Sequence, residues 1–239
     1  MGIVRVSIFQ KALQDGLNLT IFKKLAALKS DFLIFPEYFF ADGAVRDAQT
    51  AVEKSQYALD WLLKLNDSYK GIIIGGSLAL QEDGKVYTAA PVISEGQVVD
   101  WYRKRDISGA EAGFAEPGSE PGIFILGGYR FAVLIDSDIT RPEYFQELAD
   151  MGIKTIFIVG NSPHAENGAR SRMEDDELLC KPARDFGMYL SFCGSTGQAM
   201  GQDLVGRSMV VTPLGISWRV ASQEADREIL KTIMLNITE

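Results

Sequence analysis

Short, unbroken apolar runs constrain this chain more than any other feature. Phe32-Leu33-Ile34-Phe35 is one, Ile72-Ile73-Ile74 between Gly71 and Gly75 is another, and Thr155 to Val159 is a third. Runs of this length without polar alternation are what a strand covered on both faces requires. Helical patterns stand between them. Leu17, Ile21, Leu25 and Leu28 share one helical face. Ala58, Trp61, Leu62, Leu65 and Tyr69 make a longer stripe, and Thr50 with Glu53 reads as a capping box that opens it. Strands and helices that mix in this way predict a layered α/β domain. Periodicity alone does not give the number of sheets.

The remaining elements follow from turn chemistry. Val4 to Phe9 alternates as a strand. Leu78 to Leu80, Val86 to Ile93 and Val98 to Arg103 are strands separated by Asp83-Gly84 and Glu95-Gly96 turns. Ile123 to Leu126 and Tyr129 to Ile135 flank Gly127-Gly128. Thr140 and Glu143 read as a second capping box, for a helix that runs to about Met151, and Met173 to Phe186 reads as another helix. Tyr189 to Cys193, Ser208 to Thr212, Ile216 to Ala221 and Ile229 to Ile237 complete the strands. Pro36 is expected to stop the Phe32 strand. No repeat, low-complexity tract or linker interrupts the 239 residues, so one domain over 1–239 is expected.

Charge and composition narrow the function. Hydrophobic residues make up 46% of the chain and charged residues 23%, which places it among folded globular proteins. The formal net charge is −8, and the densest basic run is Arg103-Lys104-Arg105, which argues against nucleic acid as a partner. No apolar run reaches the ~18 residues of a membrane span. Met1-Gly2-Ile3-Val4-Arg5-Val6 lacks the pattern of a secretory leader. Two cysteines, Cys180 and Cys193, do not make a disulfide framework. A reducing, cytoplasmic setting is therefore expected.

Three charged residues stand where strands end. Glu37 follows Phe32 to Pro36, Lys104 follows Val98 to Arg103, and Asp136 follows Tyr129 to Ile135. Ligands in α/β proteins collect outside the carboxyl ends of strands. A single charged residue there is ordinarily a solvated edge, but three on three strands make a joint candidate site. The segment Arg105 to Gly122, rich in Gly, Pro, Ala and acids, reads as a long functional loop. The lone histidine, His164, has no partner cluster, so no metal site is expected.

These residues carry a resemblance. Phe35-Pro36-Glu37, Gly75-Gly76-Ser77, Asp83 to Ala90, Tyr102-Arg103-Lys104, Phe114-Ala115-Glu116-Pro117-Gly118, Gly206 to Val211 and Pro213-Leu214-Gly215 resemble, in order, the motifs of the nitrilase or carbon–nitrogen hydrolase superfamily. The resemblance implies a four-layer α-β-β-α sandwich and no cofactor. It also implies a small-molecule ligand, an amide or carboxylate, and a homo-oligomer such as a dimer. In the family a Glu-Lys-Cys triad attacks a nitrile or amide carbon through a thiolate.

The chain departs from that pattern at the nucleophile. Asp138 and Pro142-Glu143 align Ile135 to Glu143 with the family's nucleophile segment, and they put Asp136 at the cysteine position. Cys180 lies in a helical pattern and Cys193 ends a later strand, so both read as packing thiols. The resemblance gives Glu37 as the base, Lys104 as the cation and Glu111 as a second glutamate that positions a ligand. It gives Ser137, through its backbone N–H, and Asn161 and His164 as oxyanion-hole or pocket residues. Two functional readings follow. One is a degenerate triad of Glu37, Lys104 and Asp136, with thiol-type amidase activity lost or reduced and the pocket kept. The other is an active hydrolase of amides, esters or related C–N compounds that uses Asp136 or Ser137 with Glu37 and Lys104.

Overall fold

The computed structural model of the protein describes residues 2–41, 47–161, 172–199 and 202–237. Two sheets lie face to face between two pairs of helices. The first sheet is built on β1 (Gly2–Ala12), β2 (Phe32–Glu37), β3 (Ile72–Glu82), β4 (Lys85–Ser94) and β5 (Gln97–Arg103), in that spatial order. β1, β2 and β3 are parallel, and β3 to β5 are two hairpins. The second sheet contains β6 (Ile123–Leu126), β7 (Tyr129–Ile135), β8 (Thr155–Val159) and β9 (Tyr189–Cys193). The strands β7, β8 and β9 are parallel. The other edge of the first sheet takes β10 (Ser195–Ala199) and β11 (Gln202–Leu204), and β12 (Met209–Thr212) with β13 (Gly215–Arg219) closes the second. The last strand, β14 (Ile229–Ile237), returns antiparallel to β1 from Gly2↔Ile237 to Gln10↔Ile229.

The apolar runs divide their side chains between two cores, as the two-residue period of a strand demands. Phe32 and Ile34 of β2, with Ile72 and Ile74 of β3, face the second sheet. Leu33, Phe35 and Ile73 face the other way, onto α1 (Leu19–Ala26) and α2 (Ala48–Ser68). The outer face of the second sheet is covered by α3 (Pro142–Asp150) and α4 (Arg172–Phe186), through Phe145, Leu148, Leu179 and Ala183. The layers are therefore α-β-β-α, as expected.

Local chemistry shifts several boundaries. Pro36 does not end β2: pairing passes from Phe35↔Gly75 to Glu37↔Ser77, so Glu37 belongs to the strand. The two apolar segments of β3 form one strand, with an irregular register against β4 between Ile74 and Leu78. Asp47, not Thr50, caps α2, and its carboxylate accepts from the Thr50 N–H at 2.8 Å. Thr140 does not cap α3. It ends a 3-10 turn over Asp136–Thr140, its hydroxyl donates to the Ser137 carbonyl, and Pro142 opens the helix. The strands β10 and β11 have no apolar run to announce them.

Phe32 joins the sheets. Its ring lies 5.1 Å from that of Phe131, 4.5 Å from Phe157 and 5.0 Å from Tyr129, all on the second sheet. Phe32→Ala is expected to lower unfolding stability by about 3–5 kcal/mol. The check is a fall in the denaturant midpoint without a change of slope.

Candidate active site

The sheets deliver three of the sequence-predicted residues to one place. Glu37 stands at the end of β2, Lys104 directly after β5 and Asp136 directly after β7. Two glycine-bearing motifs let the backbones come this close. A side chain on Gly76, which has φ +68°, would collide with the Pro36 carbonyl. One on Gly118 would collide with the Arg103 backbone, and the Gly118 N–H donates instead to the Lys104 carbonyl at 2.8 Å.

The Lys104 ammonium sits among three carboxylates. It donates to Glu111 Oε2 at 2.6 Å and to Glu37 Oε1 at 3.1 Å, and it lies 3.7 Å from Asp136 Oδ2. The side chains of Lys104, Glu37 and Glu111 are 2%, 6% and 7% exposed, whereas that of Asp136 is 25% exposed. Asp136 is thus the member of the group most open to solvent. It occupies a left-handed conformation with φ 41°, which an aspartate adopts more readily than most residues.

The loop glutamate is not a solvated acid. Glu111 is buried, and its Oε1 accepts the Thr88 hydroxyl proton at 2.6 Å. That proton is committed, so the contact of 2.9 Å between Thr88 and Tyr38 is donated by the Tyr38 hydroxyl. Asn161 also joins the site, where its Nδ2 donates to Glu37 Oε2 at 3.2 Å and its Oδ1 accepts from the Ser195 hydroxyl. Ser137 is turned elsewhere, since its hydroxyl donates to the Asp106 carbonyl. His164 lies outside the described residues, with the rest of 162–171 and with 42–46.

Asp138 holds the elbow to the segment after Lys104. Its Oδ1 accepts from the Asp106 and Arg105 N–H groups at 2.9 and 3.2 Å. Its Oδ2 accepts from the Tyr102 hydroxyl at 2.8 Å and the Ile135 N–H at 2.9 Å. Sequence reading used Asp138 only to align the motif and did not find Tyr38, Thr88, Tyr102 or Ser195. Charged residues after strand ends carry a signal and the resemblance adds Glu111 and Asn161, whereas a hydroxyl that orients a carboxylate looks like any strand residue.

Electrostatics follow from three acids around one base. Burial disfavours the ammonium of Lys104, but Glu37, Glu111 and Asp136 outweigh that and hold its pKa well above the usual value. Burial is also the main cause that pushes Glu37 well above the carboxylate range. Lys104 opposes this, while Asp136 and Glu111 add to it. The three acids therefore favour the charged form of Lys104, while burial and the neighbouring acids favour the neutral form of Glu37. Asn161 suits either protonation state, because turning its amide exchanges donor for acceptor.

Neither cysteine enters the site. Cys193 is buried between the sheets, its thiol meets the carbonyls of Phe9 and Ile34 at 3.3 Å, and burial pushes its pKa well up. Cys180, on α4, is also raised by burial. Among the described residues no group of His, Cys, Asp and Glu is placed to hold a metal ion. No helix among them is long and apolar enough to cross a membrane.

The family model of the carbon-nitrogen hydrolases matches residues 9–238. The chain belongs to this family. It is 28% identical over 192 residues to the 2-oxoglutaramate amidase of Bacillus subtilis, covering 78% of this chain and 71% of that one. It is 23% identical over 181 residues to the glutamine-dependent NAD(+) synthetase of Acinetobacter baylyi, of which it spans only 32%. An amidase from Nesterenkonia sp. superposes with TM-score 0.80 at 22% identity, over 97% of this chain and 90% of that one. In a variant of that amidase the acetamide moiety of fluoroacetamide is attached at the active-site cysteine.

Because the fold raises the pKa of Glu37, the folded state binds a proton that the unfolded state has released above the ordinary value of 4.5. Stability is lost as pH rises through that window. Denaturant unfolding across pH is expected to show the protein losing stability relative to Glu37→Gln as pH rises. Asp136→Asn removes one of the charges that raise Glu37, so a carbon-13 NMR titration of the Glu37 carboxyl is expected to move to lower pH in that variant.

Proposed function

We propose that this carbon-nitrogen hydrolase has a degenerate triad of Glu37, Lys104 and Asp136. It has lost or reduced thiol-type amidase activity and keeps a small-molecule pocket, with Glu111 and Asn161 holding the buried groups. The observation that carries this reading is the side chain at the elbow. A carboxylate, a quarter exposed and 3.7 Å from Lys104, stands at the position that the resemblance gives to the cysteine.

The chemistry supports the reading. A thiolate that attacks an amide gives a thioester, from which water regenerates the thiol. A carboxylate that attacks an amide must expel an amine while it forms an anhydride, a product far higher in energy than the amide. Aspartate is a better nucleophile at glycosyl, alkyl or phosphoryl centres. Ser137 is no ready substitute, because its hydroxyl proton is given to a backbone carbonyl and not to a base. Self-association as a homodimer belongs to the same proposal, and light scattering tests it independently.

The decisive experiment is Asp136→Cys. The change removes a charge that raises Glu37, which favours the ionised base, and places sulfur on the elbow beside Lys104. Ammonia release from small primary amides is expected to rise roughly a hundredfold or more over the unmodified protein, the scale on which a positioned base acts. Adding Glu37→Gln is expected to cancel the gain. Turnover of amides or esters by the unmodified protein that Asp136→Asn abolishes would overturn the proposal in favour of an active Asp136 hydrolase.

A further inference from the structure

We propose that Ser195 is a positioning residue for Glu37: its hydroxyl fixes the amide of Asn161 with Nδ2 toward the carboxylate, which favours the ionised base. This deepens the reading of Glu37 as the base of the cluster and rests on it. Strand register brings the serine and the asparagine together. β8 and β9 run parallel, and their last residues pair as Val159↔Cys193. One glycine follows each strand, and the next residues are Asn161 and Ser195. The Gly160 N–H donates to the Cys193 carbonyl at 3.0 Å, and a side chain on Gly160 would collide with the Phe192 ring. The two exits therefore stay side by side beyond the strand ends. Ser195 is then held from the other sheet, where it pairs with Lys11 of β1, and it is fully buried.

The count of protons gives the direction. Asn161 Oδ1 accepts from Ser195, and Nδ2 donates to Glu37 Oε2 at 3.2 Å. A donor aimed at a carboxylate favours its charged form. Turned over, the amide would offer Oδ1 to Glu37 and Nδ2 to Ser195. The serine would then have to accept, and its buried proton would have no acceptor among the described residues. Ser195 thus holds the amide in the donating orientation, against the burial and acidic neighbours that favour the neutral acid. The charged groups acting on Glu37 are Lys104 after β5, Glu111 in the following loop and Asp136 after β7. The Tyr38 hydroxyl is turned to Thr88, and Lys11 directs its ammonium to Glu228 at 2.9 Å. Of these, none contacts the Asn161 amide, so the serine is the group that sets its direction.

Carbon-13 NMR titration of the Glu37 carboxyl in the full chain tests this. Ser195→Ala is expected to move the midpoint up by about half to one pH unit, the worth of one hydrogen bond. Ser195→Thr, which keeps the hydroxyl, is expected to leave it where the unmodified protein has it. Asn161→Ala is expected to move it up as well. Adding Ser195→Ala to that variant is expected to move it no further, because the serine acts through the amide. A midpoint that stays or falls in Ser195→Ala overturns the inference. So does a Ser195→Thr protein that shifts as far as Ser195→Ala, or a full Ser195→Ala shift on top of Asn161→Ala. The readout needs no turnover, so the functional proposal fails separately. An Asp136→Cys form that gains no amidase activity sinks that proposal alone. An unmoved Glu37 midpoint, in a chain whose Asp136→Cys form gains activity, sinks this inference alone.

Discussion

A buried ammonium is costly unless it is closely paired, and Lys104 is almost wholly removed from water. Its partners come from separate parts of the chain: the end of β2, the loop after β5 and the elbow after β7. No one element could satisfy it. The parallel core strands end side by side, and the two sheets must pack in register for Glu37, Lys104 and Asp136 to meet. The close backbone approaches at Gly76 and Gly118, and the four hydrogen bonds into Asp138, serve that single requirement. Removing any one carboxylate leaves the cation with fewer partners in the same dry place. The site and the fold are thus stabilised by the same contacts.

The two-faced strands were the most legible part of the sequence, because a run such as Phe32 to Phe35 has only one environment that suits it. The split of its side chains between two cores follows directly. Element ends were less legible where a side chain far along the chain decides them. Pro36 stays within β2 because its neighbours Phe35 and Glu37 carry the pairing with β3. Asp47 displaced Thr50 as the cap because its carboxylate accepts from the Thr50 N–H, which puts Thr50 inside the first turn. The polar strand β10 could not be read at all. It forms because Lys11 and Ala12 at the end of β1 offer Ser195 and Thr196 an edge, a partnership that no local pattern contains.

The candidate site divides in the same way. Glu37, Lys104 and Asp136 were visible as charged residues at strand ends, Glu111 and Asn161 came from the family resemblance, and the fold brings all five together. Tyr38 and Thr88 were not visible. Each lies where a strand or its exit would place an ordinary residue, and their importance comes from the direction of a hydroxyl proton. With Thr88 donating to Glu111, the tyrosine must donate to Thr88, so the chain of hydrogen bonds runs one way toward the carboxylate. Periodicity in a sequence records which side of an element a residue occupies. It does not record the orientation of a donor.

An aspartate in place of a thiol would be expected to disrupt a site already rich in carboxylates, yet the surroundings accommodate it on three counts. The left-handed elbow at φ 41° suits aspartate better than most residues, so the backbone cost is small. The added charge favours the neutral form of Glu37, which burial already favours. Asn161 can serve Glu37 with or without that proton by turning its amide. Backbone, charge and hydrogen bonding are therefore all answered within the cluster. What cannot adapt is the leaving-group order of the reaction. A thioester lies on the way from amide to acid, whereas an anhydride lies above both. On the proposed reading, an aspartate at the elbow keeps the charged cluster of Lys104 and its carboxylates while withdrawing the thioester step.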